Sequence, residues 1–549
     1  MKYFKYYTFS LFFLTFLIFS ISFLYAQKRV ISLKEYKLED CYSCHDKIEK
    51  LHSLGKHSKV YCDSCHRGLK EHFKDPSPET RPETLLSWET CGGCHKEQYE
   101  SFMKVSYHRP GRDEKSQLTG RAPNPFWDKL MMGHGFTKEH ALTRSHPWML
   151  IDHLVVDRAY GGRFQPKKGW EYLIQVGKAW DILEDKFPEV KENKPLIAQT
   201  AAAANPVCLS CKTQDHILDW AYMGDPDRGA KWSRKSNVVE FAKNLEYGLN
   251  CFICHDPHKA APRIVRDALI DSLTRADGDT LWHKDKRRTK FEVIELGERG
   301  YIRKIALLER YDSKLLCGQC HVEYTCNPGY DLKNPDRSKY TITMDDRRTN
   351  HFPFKEVFDL YDHYVNKLNF LDFKHQLTEG LLWKAQHPET ETYYNSKHSR
   401  AGVECMDCHM PKVTEKNKIY TSHFAVTPRL FLKETCLKCH KNWTDEEAKY
   451  LIDSIKAYTK GKMRKAEFWI SNLIDKIVEA KKMGLPEDVI KKAQEQHLKA
   501  HILWEFWTAE NSDGFHNPEA ARDSLTKSID EAQKGIKIIE EGIQVKKTF

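Results

Sequence analysis

A mainly α-helical fold with little β-structure is predicted by three observations in this 549-residue chain. Seven segments read Cys-x-x-Cys-His, and an eighth, Cys208-Leu209-Ser210-Cys211-Lys212, ends in lysine instead. Strand-like alternation is scarce around the first three of them. From residue 443 onward, apolar residues recur at intervals of three and four, the period of an amphipathic helix. Apolar content of 40% is low for a chain of this length. The core therefore needs apolar surface from something other than side chains.

The elements follow in chain order. Residues 1–26 carry Lys2 and Lys5, an apolar run over 9–24 and then Tyr25-Ala26-Gln27, the pattern of a secretory signal. Leu24 is larger than a cleavage site prefers, so an uncleaved membrane anchor is the alternative. Residues 27–120 form an N-terminal module with three motifs: Cys41, Cys44 and His45; Cys62, Cys65 and His66; Cys91, Cys94 and His95. Residues 121–440 hold the lysine motif and four regular ones: Cys251, Cys254 and His255; Cys317, Cys320 and His321; Cys405, Cys408 and His409; Cys436, Cys439 and His440. Residues 441–549 form a long-helix domain. Its periodicity predicts helices over 446–483, 486–511 and 518–543, with Pro486 and Pro518 where a helix start tolerates proline. Such helices pack as a hairpin or an oligomer interface.

In a Cys-x-x-Cys-His motif the two sulfurs attach a porphyrin by thioethers and the last residue ligates its iron. Zinc sites and redox disulfides use paired cysteines too, but neither requires a histidine after every second cysteine. Eight c-type haems are therefore expected, which also supply the missing apolar surface. Motif starts at 41, 62 and 91 are too close for private pockets, so the haems pack closely and pass electrons to one another. Lys212 places an amine on one iron only, which marks a single reactive haem. The motifs use all but one of the 17 cysteines, leaving Cys326 to be explained separately. The formal charge of +10 is offset by haem propionates, so nucleic acid is not an expected partner. Covalent haem attachment outside the cytoplasmic membrane agrees with export to the periplasm.

The segment from Cys317 through His321, Val322, Glu323 and Tyr324, followed by Lys384-Ala385-Gln386-His387-Pro388, resembles the active-site signature of the cytochrome c nitrite reductases. Ser399-Arg400-Ala401-Gly402-Val403 before Cys405 continues the match. Residues 140–440 and His516 are similar to the pentahaem form, whereas the three N-terminal motifs and Cys326 resemble the octahaem branch. The resemblance implies that Lys212 is the proximal ligand of the catalytic haem and that Arg158, Tyr324 and His387 line the substrate pocket. It also implies a Ca2+ site at Glu323 and Gln386, completed by backbone oxygens of Tyr324 and Lys384. Oxygen ligands of this kind suit a hard cation. His146, His398, His423 and His516 match distal haem ligands. The interval from His146 favours Arg158 over Arg163. His57, His72 and His108 complete a set of seven, with His153 and His258 as alternatives. In an extended segment Tyr324 and Cys326 point to the same side. A thioether between them, which the octahaem branch carries, is sterically reasonable, and a reduced buried thiol is the alternative.

The expected activity is six-electron reduction of nitrite to ammonium, with hydroxylamine as a further substrate and an unidentified redox donor. Tetrathionate reduction competes, because another octahaem family also uses Cys-x-x-Cys-Lys. Hydroxylamine oxidation is disfavoured by Lys212, since that family keeps histidine on its catalytic haem. A non-catalytic electron conduit requires the Lys212 haem to be six-coordinate. The resemblance and the long helices favour a homo-oligomer, a trimer or hexamer as in the octahaem branch or a dimer as in the pentahaem form.

Overall fold

The computed structural model describes residues 37–104, 126–134, 145–155, 163–168, 179–191, 205–227 and 229–548. The chain divides into two compact units. One comprises the N-terminal residues through Lys96 with Pro257–Ala260, and the other comprises Glu97–Asp256 and Ala261–Phe549. Short helices and 3-10 turns make up the smaller unit and recur through the larger one. Strands are few and mostly come as two-stranded ribbons.

In the larger unit, strands β1 (Arg263–Ile264), β2 (Phe291–Leu296) and β3 (Arg303–Leu308) form an antiparallel sheet in the order β1-β3-β2, with Phe291 opposite Leu308 and Arg263 opposite Leu307. Helix α1 (Asp267–Thr274) follows β1 directly. Its buried Ala268, Leu269, Ile270 and Leu273 pack with Ile264, Ala306 and Leu308 into a core that also holds Val207, Tyr324 and Cys326. This core seats the lysine motif against the Tyr324 segment.

Three long helices close the chain: α2 (Asp445–Lys482), α3 (Glu487–Ala509) and α4 (Pro518–Thr548). The ends of α2 show how the free backbone groups are satisfied. Thr444 Oγ1 accepts from Glu447 N at 3.2 Å while Thr444 N donates to Glu447 Oε2 at 2.7 Å, a reciprocal cap. Gly484 ends α2 with φ +66°, which lets Leu485 N bond back to Ala480 O at 3.0 Å. Pro486 and Pro518 sit at the starts of α3 and α4, as the sequence predicts. The apolar faces bury Ile470, Leu473, Ile474 and Ile477 of α2 with Leu498, Ile502 and Trp504 of α3 and Leu525 of α4. Gly535 lets α4 approach closely, since a Cβ there would lie 2.7 Å from Leu473. Among the described residues no helix is long and apolar enough to cross a membrane.

Candidate functional site: haem-binding motifs and the lysine-motif pocket

Five of the seven regular motifs show a closing bond that brings the histidine under the first cysteine, whereas the motif of Cys62 makes a 3-10 turn and His66 lies in a strand. His45 N donates to Cys41 O at 3.1 Å, His95 N to Cys91 O at 2.9 Å, His255 N to Cys251 O at 3.0 Å, His321 N to Cys317 O at 2.9 Å and His440 N to Cys436 O at 2.9 Å. Residues four apart share a helix face, so sulfur and imidazole point the same way. Cysteines of different motifs lie in side-chain contact: Cys41 with Cys62, Cys211 with Cys320, and Cys317 with Cys405.

Six of the seven motif histidines face a second histidine across a similar gap. In the smaller unit the ring centroids of His45 and His72 are 6.2 Å apart and those of His95 and His57 are 6.1 Å apart. In the larger unit the pairs are His321 with His146 at 6.2 Å, His255 with His423 at 6.4 Å, His409 with His516 at 6.3 Å and His440 with His398 at 6.4 Å. A metal ion about 2 Å from a nitrogen of each ring separates the centroids by roughly 6.3 Å. These pairs could therefore each hold one iron. Several rings are oriented through Nδ1, which leaves Nε2 for a metal. His57 Nδ1 lies 2.7 Å from Pro257 O, His423 Nδ1 2.9 Å from Thr421 O, His409 Nδ1 3.1 Å from Val426 O and His516 Nδ1 2.7 Å from Glu510 Oε1. His108, expected to complete the set for the remaining motif histidine His66, lies outside the described residues.

The lysine motif is built differently. A short helix, Pro206–Leu209, is capped by Asn205, whose Oδ1 accepts from Val207 N at 3.0 Å. The Asn205 side-chain amide reaches on to Cys326 O at 2.7 Å and Asn327 Oδ1 at 2.9 Å. One residue thus caps the helix of Cys208 and ties it to the segment of Tyr324 and Cys326. Both of those side chains are buried, and burial pushes the Tyr324 phenol well above its ordinary pKa. Lys212 is half-buried. The half-buried His153 lies beside it, held near pKa 3 by loss of solvent and that neighbouring amine.

Glu323 is fully buried. Its Oε2 accepts from Gln386 N at 2.8 Å and its Oε1 from Tyr364 OH at 3.3 Å, while Glu323 N donates to Glu391 Oε1 at 3.0 Å. Burial pushes Glu323 and Glu391 well above the carboxylate range, and the nearby acids add to the shift. Gln386 Nε2 and Glu391 Oε2 are buried without a hydrogen-bond partner. The Glu391 oxygen is a buried acceptor without a donor, which a hard cation would satisfy. The Glu323 carboxylate, the Gln386 amide oxygen and the carbonyls of Tyr324 and Lys384 are the oxygens that could hold one. His387 follows directly and is half-buried, its carbonyl accepting from Glu389 N at 2.9 Å.

Arg158 lies outside the described residues. Arg163, the alternative, is committed elsewhere: it is buried, with Nε 3.0 Å from Asp185 Oδ1 and Nη2 3.1 Å from Asp185 Oδ2. Two features escaped sequence reasoning. Arg266 is buried beside Tyr324 and Cys211, with Nη2 3.1 Å from Asn350 Oδ1. His497, His501 and Glu505 form a polar stripe at four-residue spacing along α3. Its signal was legible, because Leu498, Ile502, Trp504 and Phe506 surround it with apolar residues.

The model of the cytochrome c552 family matches residues 167–546 of the chain. The chain belongs to the cytochrome c552 family. Membership makes it an oxidoreductase with c-type haems, which the motif geometry accommodates. As a cytochrome c552 it is 27% identical over 453 residues to the cytochrome c nitrite reductase subunit NrfA of Nitratidesulfovibrio vulgaris, covering 77% of this chain and 70% of that one. It is 25% identical to cytochrome c-552 of Aliarcobacter butzleri, over 80% of this chain and 78% of the relative. Cytochrome c-552 of Haemophilus influenzae is 26% identical over 87% of this chain and 78% of its own. The cytochrome c nitrite reductase structure from Desulfovibrio desulfuricans, described with two calcium sites in its catalytic subunit, shares the fold with a TM-score of 0.59 at 23% identity. That likeness spans 83% of this chain and 86% of the other.

Proposed function

We propose that this cytochrome c552 is an octahaem enzyme that reduces nitrite to ammonium with six electrons, and hydroxylamine as well. The observation that carries the reading is the Asn205 bridge, which brings the lysine motif to the Tyr324–Cys326 segment. The haem held by Cys208, Cys211 and Lys212 would supply an iron with one open position and the electrons for reduction. Around it, Arg158 would offer a permanent charge and several donors to nitrite oxygens as negative charge develops. Tyr324, its proton held by burial, would donate a hydrogen bond, and His387 would deliver protons near neutral pH. Eight protons are consumed per nitrite, so proton delivery matters as much as electron supply.

The six histidine pairs support low-spin bis-imidazole haems at His45, His95, His255, His321, His409 and His440, and His108 would complete His66. Glu323, Gln386 and the carbonyls of Tyr324 and Lys384 would hold Ca2+ at the pocket wall. Tyr324 and Cys326 would be joined by a thioether. Residues 1–26 would export the chain to the periplasm, where an unidentified donor reduces it. Exposed Tyr450, Tyr458 and Phe468 on α2 support assembly into a homo-oligomer, a trimer or hexamer.

The test is ammonium formed per nitrite consumed by the purified, haem-loaded protein with a low-potential viologen donor. A ratio near one, with no accumulating nitric oxide, is the expected result. Negligible nitrite consumption would sink the proposal; tetrathionate turnover would then favour the sulfur-oxyanion reading, and a fully low-spin spectrum the conduit.

A further inference from the structure

Three successive backbone amides ahead of His387 each donate to a different buried carboxylate. Lys384 N reaches Asp372 Oδ2 at 2.9 Å, Ala385 N reaches Glu505 Oε1 at 3.1 Å and Gln386 N reaches Glu323 Oε2 at 2.8 Å. The carboxylates come from three separate parts of the chain: the ribbon strand region, helix α3 and the segment after His321. Extended backbone sends successive N–H groups to opposite sides, so such a segment is gripped on alternating faces. Asp372 and Glu323 have evident work beside the proposed calcium ligands. Glu505 does not: it lies on α3, whose neighbours at this point are Trp504, Phe506 and Trp507.

Burying a carboxylate among tryptophans is costly unless it is paired and hydrogen-bonded. Glu505 is only 2% exposed; its Oε1 shares a hydrogen bond with His134 Nε2 at 2.5 Å, and His501 Nε2 lies 2.6 Å from Oε2 at ion-pair distance without hydrogen-bond geometry. Both histidines are buried as well. Phe373 packs edge-on against both imidazoles, with ring centroids 5.1 Å from His134 and 5.9 Å from His501. Phe373 also pairs with Leu382 in the ribbon that leads into Lys384. The carboxylate is therefore held through Oε1 by His134, the same oxygen that accepts from Ala385 N, and flanked at Oε2 by His501, which keeps it in place as an acceptor.

We propose that Glu505 is a positioning residue that, through Ala385 N, sets the separation between the Lys384 carbonyl and the Gln386 side chain and so shapes the calcium site and the placement of His387. The inference rests on the calcium ligands assigned under the proposed function. A metal ligand is only as well placed as the groups that orient it, and removing an orienting partner typically costs about 10- to 100-fold in metal affinity.

The experiment uses the full-length, haem-loaded protein, stripped with a chelator and titrated with calcium alone. Calcium affinity is read by calorimetry, and the high-spin ferric band of the open haem is followed in parallel. E505A is expected to weaken calcium binding by about 10- to 100-fold, with nitrite kcat falling more than KM changes and recovering at high calcium. E505Q keeps an acceptor for Ala385 N but loses the charge, and is expected to fall between E505A and the unsubstituted chain. Either folded variant binding calcium as tightly as the unsubstituted chain overturns the positioning role. Where E505A does not accumulate, the near-isosteric E505Q decides. If the unsubstituted protein itself takes up no calcium, the calcium assignment fails first, a distinct outcome from a variant that leaves real binding unchanged.

Discussion

Asn205 donates its side-chain amide to the Cys326 carbonyl at 2.7 Å while its Oδ1 caps the helix that begins the lysine motif. The two halves of one amide therefore hold together two pieces of chain separated by more than a hundred residues. Asn205→Asp preserves the cap but replaces the donor with an acceptor facing Cys326 O and Asn327 Oδ1. Losing the bond and leaving the buried carbonyl unsatisfied is expected to cost about 1–3 kcal/mol. Thermal unfolding of the haem-loaded variant measures that loss. Nitrite turnover is expected to fall with it, because the Tyr324 segment is no longer pinned to Lys212.

How much of this site the sequence disclosed depends on the range of each interaction. The haem motifs are local and were legible in full, as were the three long helices, whose Thr444 cap, Pro486 and Pro518 are punctuation within a few residues. Which histidine faces which motif was not legible. His146 meets His321 and His516 meets His409 only because the chain returns to the same place after a long excursion. The Glu505 stripe is an intermediate case: its spacing can be seen on α3, but its partners His134 and Ala385 cannot. The same holds for Asn205, which reads as an ordinary cap until its amide is found on Cys326.

The histidine pairs make a prediction that ligand lists alone could not. His423 stands across from His255 with centroids 6.4 Å apart, its Nδ1 held by Thr421 O. His423→Ala is expected to convert one haem to high spin and leave the other bis-imidazole haems low-spin, as counted by integrated ferric electron paramagnetic resonance. His351 serves as the control. Its Nε2 lies 2.8 Å from Nε2 of His363, a pair that involves no motif histidine. Its substitution should not alter the spin count.

Tyr324 and Cys326 are both buried in the core that seats the lysine motif. A thioether between them removes one hydrogen from sulfur and one from the phenol ring, releasing two protons and two electrons that two ferric haems would accept. The intact haem-loaded chain should then be lighter by two hydrogens than the sum of its parts, and Cys326→Ser should restore the uncross-linked value for its own composition. A full complement of hydrogens in the parent would leave Cys326 as a buried thiol.

Asp215, three residues beyond Lys212, accepts from Glu246 N and Tyr247 N through Oδ2, while its Oδ1 is buried without a partner. Burial outweighs those bonds and raises its pKa to about 7. The folded chain therefore binds this proton more tightly than the unfolded chain. Its stabilising effect is full below the unfolded carboxylate range, is lost progressively as pH rises from about 4 to about 7, and is absent above. The loss is of order a few kcal/mol. Asp215→Asn is expected to flatten the dependence of Tm on pH across that interval. A slope identical to the parent's would place the titration elsewhere.

Calcium should act through stability as well as turnover. Glu323 and Glu391 are acids whose pKa burial raises, with Glu391 adding to the shift of Glu323 and Glu389 to that of Glu391, and Glu391 Oε2 has no hydrogen-bond partner, so a divalent cation relieves a cost that the protein alone does not remove. A ligand that binds only the folded chain stabilises it by about 2.7 kcal/mol at a hundred times its Kd. Chelation is therefore expected to lower Tm and nitrite turnover together, with both restored by calcium. Magnesium, which demands a tight octahedron and gives up its waters reluctantly, should restore neither at the same concentration. In Glu323→Gln the buried charge is gone, so the variant should fold without calcium and show no rise in Tm when calcium is added. A calcium-dependent Tm that survives this substitution would move the site away from Glu323.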